Sequence, residues 1–549
     1  MRRNQIKTII VTVLMVITAA ALLARGQAEE PPAAAVPAGA VSDAAYLQDT
    51  SPVTFDWYVD ASWYTRVRWG QDYTSQYVTR KTGVNLNLII PTGNEAEKKN
   101  LMIASGDLPD FVSMGWWEPQ AIQLEQSGLI WSLNELADRY APDFWDVTSD
   151  SVVSWYTRED GRIYGYPNVT EPPERVAQIE DLALVNSYLG FMVRKDIWEA
   201  IGKPDMSTPE QFLDALASAK EMYPTVGGQP LIPLGLGEFT ATGNLALDDQ
   251  LVRLLNVQKG IDGVFNNVRT DPEYIRWLRT LREANERRLL STDIFIDKDT
   301  QIQDKIKQGR YFALIYARNS VAQSFNPVLY QQDPESIYIT VDGPRNSRLE
   351  QTRLPVGSLN GWLITYISRQ TRHPERAIRF VQYLLSEEGQ LDFFLGDPEK
   401  TREILPDGTQ RLRPEISALR DTDEVGFSRT YGARDAYFFL LDPVITAQYE
   451  PERPIWDIAT RLWYRELKPI DVLAYEYNLP PDTPEGTAWS DSQLKWGTTL
   501  PRLLLAPSEA EFDRLLQEYT AHDARNRELY EPAANEAIAA NLRRLGRAE

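Results

Sequence analysis

Cysteine is absent from this chain of 549 residues. Its absence excludes disulfide bonds, thiolate metal sites, cysteine nucleophiles and iron–sulfur clusters. Packing, hydrogen bonds and charged groups must therefore supply whatever stability and chemistry the protein has.

Histidine is scarce as well, since only His373 and His522 occur. A site that needs three histidines is excluded, and a Ser-His-Asp triad is disfavoured. His373 directly precedes Pro374, a pair typical of the beginning of a helix, so we assign His373 to a helix N-cap. The sequence also lacks a glycine-rich loop of the kind that cradles phosphate, and it predicts no cofactor.

Positive charge is the third shortage. Lys and Arg number 57 against 78 Asp and Glu, which gives a net charge of −21. Residues 1–28 carry four of the cations and no acid, so a chain without them has a net charge of about −25. Such a balance opposes sequence-independent binding to nucleic acid and docking on an anionic membrane through a basic patch.

The N-terminus has the pattern of an export signal. Three basic residues precede an uncharged, mostly apolar stretch at 8–24, and Gly26-Gln27-Ala28 offers small residues where a signal peptidase reads. We therefore predict a signal peptide over 1–28 and, over the Pro/Ala-rich residues 29–50, a flexible spacer. The alternative is an uncleaved anchor helix, and either way the body of the protein lies outside the cytoplasmic membrane.

The length of the chain and its aromatic content bound the fold. A chain of this size exceeds a single core, so two or three domains are expected. Fifteen Trp and 26 Tyr suit a large core, and they also suit a site that stacks on flat or amphipathic ligands.

Alternating strands and helices predict an α/β fold. The apolar residues of 53–59 and 84–90 alternate as in strands, 111–114 is a third strand, and helices are predicted over 66–82, 95–105 and 118–127. This β-α-β-α-β order opens a parallel sheet, in which ligands bind beyond the carboxyl ends of the strands.

A second α/β unit follows from about residue 190. Beyond this point strands are predicted at 190–193, 311–317 and 361–368. Helices are predicted at 195–201, 207–223, 271–290 and 373–386, and the last sixty residues are expected to be mainly helical.

The order of these segments resembles the extracellular solute-binding proteins of ABC importers, in the long, lipoprotein-like branch associated with oligosaccharides. The residues that carry the resemblance lie between about 51 and 400. They are "TGVNLNLII", "EKKNLMIASGDLPDFV", "SGLIWSLNELADRYAP", "DGRIYGYPN", "VRKDIWEAIGKPDMSTPEQFLDAL", "IKQGRYFALI" and "ISRQTRHPERAIRFVQYLLSEEGQ".

The resemblance implies a two-lobed α/β fold of the type II periplasmic-binding-protein kind, with a hinge of two or three crossings and a helical C-terminal region. It places the first lobe in 51–167 and 359–430, the second lobe in 168–358, and a mainly helical return to the second lobe in 431–549. Lipoprotein members carry a cysteine after the signal core, whereas this sequence has "ALLARGQAEE" there. The protein is therefore expected to be unlipidated, and either free in the periplasm or held by its leader.

The resemblance implies that the protein captures a carbohydrate, most simply an oligosaccharide, and delivers it to the permease subunits of an ABC importer. It implies that the protein acts as a monomer. Two alternatives stay open. One is a secreted carbohydrate-active enzyme, a glycosidase or lyase that uses acidic residues. The other is a binding protein for peptides. We expect a binding protein and not an enzyme, because no convincing carboxylate pair is found.

Aromatic platforms are the chemistry expected of a sugar site, because the apolar face of a pyranose packs on an indole ring. The predicted ligand-binding residues follow strands or lie at predicted crossings between lobes. They are Asp60, Trp63, Trp116, Trp117, Asn168, Glu238, Arg318, Asn319, Asn360 and Trp362. Each also has a plainer explanation as a packing, turn or solvated loop residue.

Two acidic motifs receive structural explanations. Asp107 and Asp110 flank Pro109 between a helix and a strand, so we assign both to a tight turn rather than to catalysis. Residues 297–304, "DKDTQIQD", faintly resemble a calcium loop but lack its central glycine and closing glutamate. No metal site is predicted.

Overall fold

The computed structural model describes residues 44–61, 69–91, 95–177, 188–355, 357–433, 440–447, 449, 468–470, 472–477, 479–480 and 482–547. The predicted signal peptide and Trp63 lie outside these residues. No helix in the described part of the chain is long and apolar enough to cross a membrane.

The folded body begins earlier than predicted. Tyr46 and Leu47, in the stretch predicted as a flexible spacer, pack against a hydrophobic core. The Tyr46 hydroxyl also donates a hydrogen bond to Glu388 at 3.0 Å. The compact unit accordingly starts at Ala45, so residues 45–50 belong to the folded body and not to a flexible spacer.

Six of the nine strands in the two main sheets were predicted from the sequence, and the three that were missed are β4, β8 and β14 below. The other strands form two-stranded pairs. In chain order the strands are β1 Val53–Val59, β2 Val84–Ile89, β3 Phe111–Met114, β4 Gly165–Pro167, β5 Phe191–Arg194, β6 Thr225–Val226, β7 Gln229–Pro230, β8 Ile232–Leu236, β9 Phe239–Thr240, β10 Gly243–Asn244, β11 Gly260–Ile261, β12 Val264–Phe265, β13 Tyr311–Ile315, β14 Tyr338–Val341, β15 Arg353–Pro355, β16 Ile364–Ile367, β17 Arg402–Ile404, β18 Gln410–Leu412 and β19 Lys468–Ile470.

The helices surround the two sheets and dominate the C-terminal region. In chain order they are α1 Tyr73–Thr82, α2 Glu95–Ser105, α3 Pro119–Gln126, α4 Leu133–Tyr140, α5 Asp150–Tyr156, α6 Pro173–Val176, α7 Lys195–Ala200, α8 Pro209–Met222, α9 Val252–Leu254, α10 Pro272–Glu286, α11 Asp299–Lys307, α12 Arg318–Ser320, α13 Asn326–Gln332, α14 Pro374–Leu385, α15 Glu387–Phe394, α16 Pro414–Thr422, α17 Glu424–Tyr431, α18 Pro443–Ala447, α19 Pro484–Leu504 and α20 Glu509–Arg544.

Capping explains where the first helix begins and ends. The Asp72 carboxylate accepts a hydrogen bond from the Ser75 amide at 2.8 Å, so α1 starts at Tyr73 rather than at residue 66 as predicted. Gly83 ends the helix in the left-handed region, with φ of 73°. A Cβ at Gly83 would lie 2.1 Å from the Thr50 carbonyl oxygen, so the close approach to β1 also requires glycine.

The first sheet has the order β2-β1-β3-β16-β4. β1 pairs in parallel with β2 and β3, whereas β16 is antiparallel to both β3 and β4. The sheet is thus completed by a strand that returns from far along the chain. We call this sheet and the helices on it the first lobe.

The second sheet has the order β14-β5-β13-β8. β13 is parallel to β8, and β5 is antiparallel to both β13 and β14. We call this sheet and the helices that pack on it the second lobe. The carboxyl ends of β8, β13 and β14 therefore share one edge.

Each lobe has its own hydrophobic core. The first core is built around Phe55, Trp57 and Phe111. The second core is built around Phe191 and Trp277, and α19 and α20 contribute to it through an apolar face. The apolar residues of these two helices in the second core are Trp496, Leu500, Leu503, Leu504, Phe512, Leu515 and Tyr519.

The last helix joins the two cores. Its 36 residues correspond to a length of about 54 Å. Phe512 lies in the second core near the start of the helix. Leu545, which caps the far end, packs against the first core.

Candidate ligand-binding site

The first sheet collects most of the predicted site residues at one edge. Asp60 follows β1, Trp116 and Trp117 follow β3, and Asn168 follows β4. Trp362 precedes β16, which is antiparallel to β3 and β4, so it lies at the same edge. The order of strands predicted this position for Asp60, Trp116 and Trp117. Asn168 and Trp362 join them through β4 and β16.

The two adjacent tryptophans have different environments. Trp116 is half-buried against the first core, and its Nε1 donates a hydrogen bond to the Gly361 carbonyl at 2.8 Å. Trp117 is 50% exposed. The rings meet edge to face, with centroids 5.8 Å apart and an interplanar angle of 90°. Trp116 thus supports the turn, and an indole surface of Trp117 faces outward.

A buried ion cluster lies beside this turn. The Lys99 ammonium donates to Asp60 at 2.5 Å and also to Glu118. The Lys99 side chain is only 4% exposed. Asp60 accepts a further hydrogen bond from the Tyr58 hydroxyl at 3.0 Å. Asp60 is therefore held by groups of the protein at the edge of the sheet.

The segment just before β16, where the chain returns to the first lobe, is called the return crossing here. The buried side-chain amide of Asn168 holds it in place. Asn168 has no exposed surface, and its Oδ1 accepts hydrogen bonds from the amides of Trp362 and Leu363 at 3.1 and 2.9 Å. A Cβ at Gly361 would lie 1.5 Å from the Asn168 carbonyl oxygen. Asn168 therefore acts within the crossing in this structure, and Gly361 permits the close approach of the two backbones.

Asn360 links the same crossing to an aromatic pair. Its Oδ1 accepts hydrogen bonds from Trp155 Nε1 and from the Tyr156 hydroxyl, both at 2.9 Å. Through Gly361 and Asn360, the crossing contacts Trp116 on one side and the Trp155–Tyr156 pair on the other. Trp116, Asn168, Asn360 and Trp362 are thus brought together.

Residues Glu171 and Ser358 join the two crossing segments. Their backbones exchange two hydrogen bonds of 2.6 and 2.9 Å. The Glu171 carboxylate is buried and makes no hydrogen bond to any other part of the chain that the structure describes. Burial raises the pKa of Glu171 to about 7, and the nearby carboxylate of Asp442 adds to the shift.

The second sheet gathers the remaining predicted residues at its own edge. Glu238 follows β8, and Arg318 and Asn319 follow β13. Glu238 accepts hydrogen bonds from Lys298 Nζ at 2.8 Å and from the Asp299 amide at 2.9 Å, so it holds the start of α11. Arg318 is 2% exposed. Asn319 Oδ1 is buried without a hydrogen-bond partner among the described residues.

A cavity of about 260 Å³ lies where the last helix reaches the first lobe. It is lined by Trp155 and Ser151 of α5, by the start of α6 and by the end of α20. The full lining is Ser151, Trp155, Pro173, Glu174, Arg544, Leu545 and Arg547.

Three aspartates of the two acidic motifs accept hydrogen bonds from other groups of the protein. Asp110 accepts a hydrogen bond from the Asp56 amide at 2.9 Å. Asp297 accepts from Lys305 at 2.5 Å, and Asp299 accepts from the Tyr316 hydroxyl at 2.7 Å. Within the described residues no group of three or more His, Asp or Glu side chains is arranged to hold a metal ion. His373 occupies the N-cap of α14, as predicted.

Several residues of the site were missed by sequence reasoning. Lys99 is one of two lysines in a polar helix, and no local signal marks it as the buried one. Glu171 and Glu118 are single acids in loops. Trp155 and Tyr156, in contrast, form an adjacent aromatic pair just before "DGRIYGYPN" and could have been singled out by the criterion applied to Trp116 and Trp117.

The chain has two mixed sheets joined by paired crossing segments. Polar groups gather at one edge of each sheet, together with tryptophans in the first, and this arrangement is that of a two-lobed solute-binding protein. The model of the bacterial extracellular solute-binding protein family matches residues 69–391. The chain belongs to that family.

Comparisons with individual proteins agree with this assignment. The chain is 26% identical over 237 residues to the fructooligosaccharide ABC transporter substrate-binding protein FusA of Streptococcus pneumoniae, an alignment that covers 40% of this chain and 41% of that protein. The match thus spans less than half of the length of this curated relative. The sequence similarity is concentrated in part of each protein.

Solved structures match over most of the chain. FusA in complex with kestose has a TM-score of 0.62 at 17% identity, covering 89% of this chain and 100% of that one. The alginate-binding protein AlgQ2 without calcium has a TM-score of 0.60 at 17% identity, covering 88% and 98%. These similarities establish the two-lobed fold.

Proposed function

We propose that this protein captures an oligosaccharide between its two lobes and delivers it to the permease of an ABC importer. The observation that carries the proposal is the outward-facing indole of Trp117, 50% exposed, at the carboxyl edge of the first sheet. An indole at this edge can pack on the apolar face of a pyranose. The half-buried Trp116 holds the turn that presents it.

The comparisons support the choice of ligand class. The curated relative is described as binding fructooligosaccharides, and the solved structures include proteins described as binding kestose and alginate. Family membership supports a location outside the cytoplasm. Free residence in the periplasm and action as a monomer belong to the proposal.

Closure of the lobes is the mechanism that we infer. Trp117 and Asn360 would contact the sugar from the first lobe and its crossing, and Asn319 from the second lobe. Contacts from both edges favour the closed state over the open one, because only the closed state makes them all. The crossings at Glu171 and Ser358 are the segments about which the lobes would turn.

A binding role fits the acidic groups better than catalysis does. Asp60 and Glu118 share the Lys99 ammonium, and Glu238 pairs with Lys298. A lysine of the protein thus holds each of these carboxylates, whereas a general acid must be free to reach the substrate. Hydrolysis of a bound glycan by the purified protein, lost on substitution of Asp60 or Glu118, would favour the enzyme instead.

Isothermal titration of the purified protein tests the proposal directly. The panel contains kestose, neutral gluco- and manno-oligosaccharides, uronate oligomers and short peptides. The proposal expects a dissociation constant in the micromolar range or below for at least one oligosaccharide and none for the peptides. Binding of peptides alone would overturn it in favour of a peptide importer.

A further inference from the structure

We propose that Lys99 is the positioning residue of the turn that carries the tryptophan pair. Its buried ammonium ties the end of β1 to the turn after β3 and thereby sets the direction of the Trp117 ring. This inference rests on the proposed function, in which that ring stacks on the sugar.

The cluster links the segments that follow three successive strands. Asp60 directly follows β1, Lys99 lies on α2 after β2, and Glu118 lies between β3 and α3. Lys99 contacts both carboxylates, at 2.5 Å for Asp60. One cation therefore fixes the relative positions of the three segments that form the edge of the sheet.

Glu118 transmits this restraint to the turn. While one carboxylate oxygen accepts from Lys99, the other accepts from the Gly115 amide at 3.0 Å. A Cβ at Gly115 would lie 2.7 Å from Glu118 Oε1 and 3.0 Å from ring atoms of Trp117. Glu118 and the Trp117 ring thus pack on the same small residue, so a movement of Glu118 changes the space that the ring occupies.

The charges explain why the ammonium is required. Desolvation alone would lower the pKa of Lys99, but hydrogen bonds to Asp60 and Glu118 outweigh it and raise the pKa, so the cation is retained. Desolvation raises the pKa of Glu118, and Lys99 opposes that shift. Without the ammonium, two carboxylates would share a poorly hydrated site, and Glu118 would bind a proton or turn toward water.

Two further charged residues of α2, Glu95 and Lys98, lie near the cluster through Tyr58. Lys98, the adjacent residue of α2, lies 5.5 Å from the ring centroid of Tyr58. Tyr58 donates its hydroxyl proton to Asp60. Because Lys98 contacts the ring and not the carboxylates, Lys98→Met is a matched control that removes the same charge one residue away.

The test is ¹⁹F NMR of the full chain labelled with 5-fluorotryptophan, which needs no sugar. The Trp117 resonance is assigned as the one lost in Trp117→Phe. In Lys99→Met we expect the Trp117 resonance to shift or broaden. The resonances of Trp277 and Trp496, which lie in the second core, should stay in place. Lys98→Met should leave all of them unchanged.

A second variant covers the case in which Lys99→Met fails to fold. Glu118→Gln keeps an oxygen for the Gly115 amide but removes the charge that Lys99 holds. It should shift the Trp117 resonance in the same direction, by a smaller amount. A Trp117 resonance that is unchanged in the folded variants would overturn the proposal. So would equal shifts of the resonances from both lobes, which indicate general loosening.

Titration with kestose separates this proposal from the proposed function. If kestose binds, Lys99→Met should weaken the affinity for kestose by about tenfold in the wild-type background. In the Trp117→Ala background it should have no further effect on that affinity. Equal weakening in both backgrounds would mean that Lys99 acts without Trp117, and would overturn the positioning role. An unchanged affinity in Trp117→Ala would instead overturn the stacking role of Trp117, whatever the NMR result.

Discussion

The indole of Trp116 meets the indole of Trp117 edge to face, with centroids 5.8 Å apart and planes at 90°. The two neighbouring side chains therefore have different roles, one in holding the turn and one in presenting an exposed ring. The Trp116 ring is anchored to the Gly361 carbonyl, whereas half of the Trp117 side chain is exposed. Substitutions at the two positions should therefore be separable by experiment.

Trp117→Ala should weaken oligosaccharide binding by at least about tenfold, or roughly 1.4 kcal/mol. Its effect on the free energy of unfolding should be about 1 kcal/mol or less, because half of the side chain is exposed and the rest packs on Trp116. Trp116→Ala should instead lower the free energy of unfolding by about 2 kcal/mol, since it removes a half-buried ring and its hydrogen bond. Calorimetric titration and urea unfolding check these effects, and identical behaviour of the two variants would contradict the division.

Gly361→Ala should disrupt the return crossing. The added Cβ would lie 1.5 Å from the Asn168 carbonyl oxygen, which is backbone and cannot move aside cheaply. We expect a loss of about 3 kcal/mol or more in the free energy of unfolding, measured in urea. Gly237→Ala is the matched control, because the nearest atom to its new Cβ is 3.7 Å away. A similar cost for both variants would contradict the structure at the crossing.

Asn360→Ala should destabilise the protein by about 1–3 kcal/mol, because Trp155 Nε1 and the Tyr156 hydroxyl lose their shared acceptor. Asn360→Asp keeps an oxygen at that position and should cost less. Urea unfolding of both variants measures the difference. If aspartate costs as much as alanine, the acceptor role assigned to Asn360 Oδ1 is incorrect.

Glu171 should make stability depend on pH. Its folded pKa of about 7 exceeds the ordinary value of 4.5, so between these values the folded state binds more protons than the unfolded state. The free energy of unfolding should therefore fall as the pH rises from about 4.5 to about 7. The shift corresponds to about 3 kcal/mol at most.

Glu171→Gln removes the titrating carboxyl group and with it this pH dependence of stability. The variant should match the wild type near pH 4 and be more stable than it near pH 8. Urea unfolding across this range measures the difference, and Glu174→Gln, an exposed acid three residues along, is the control. A pH dependence shared by Glu171→Gln and the wild type would show that the buried carboxylate is not its source.

The strand edges of the site were predictable from sequence, and the environment of single residues was not. Alternation located β1 and β2, and the order of strands then placed Trp116 and Trp117 at the carboxyl edge of the sheet, where the structure has them. Asn168 was also among the predicted binding residues, but it is fully buried beside β16, a strand from far along the chain. Burial of that kind is decided by tertiary contacts that a local pattern does not contain.

Lys99 illustrates the same limit from the opposite direction. Its carboxylate partners lie 39 and 19 residues away in sequence, so nothing in the helix itself marks it as buried. Trp63, another predicted site residue, lies outside the described residues and stays a prediction. Which predicted residues contact the sugar is likewise left to titration of the variants.

The antiparallel position of β16 has a consequence for how the protein is made. Ser113 on β3 and Thr365 on β16 are hydrogen-bonded across a sequence separation of 252 residues. During synthesis at the ribosome, β3 and β4 must wait for all four strands of the second sheet before their shared neighbour emerges. Contacts this distant in sequence form slowly, and unpaired strand edges are prone to aggregation meanwhile. A chain that cannot complete its first lobe early stays unfolded for longer. The unfolded state is the one in which a protein passes through a membrane during export.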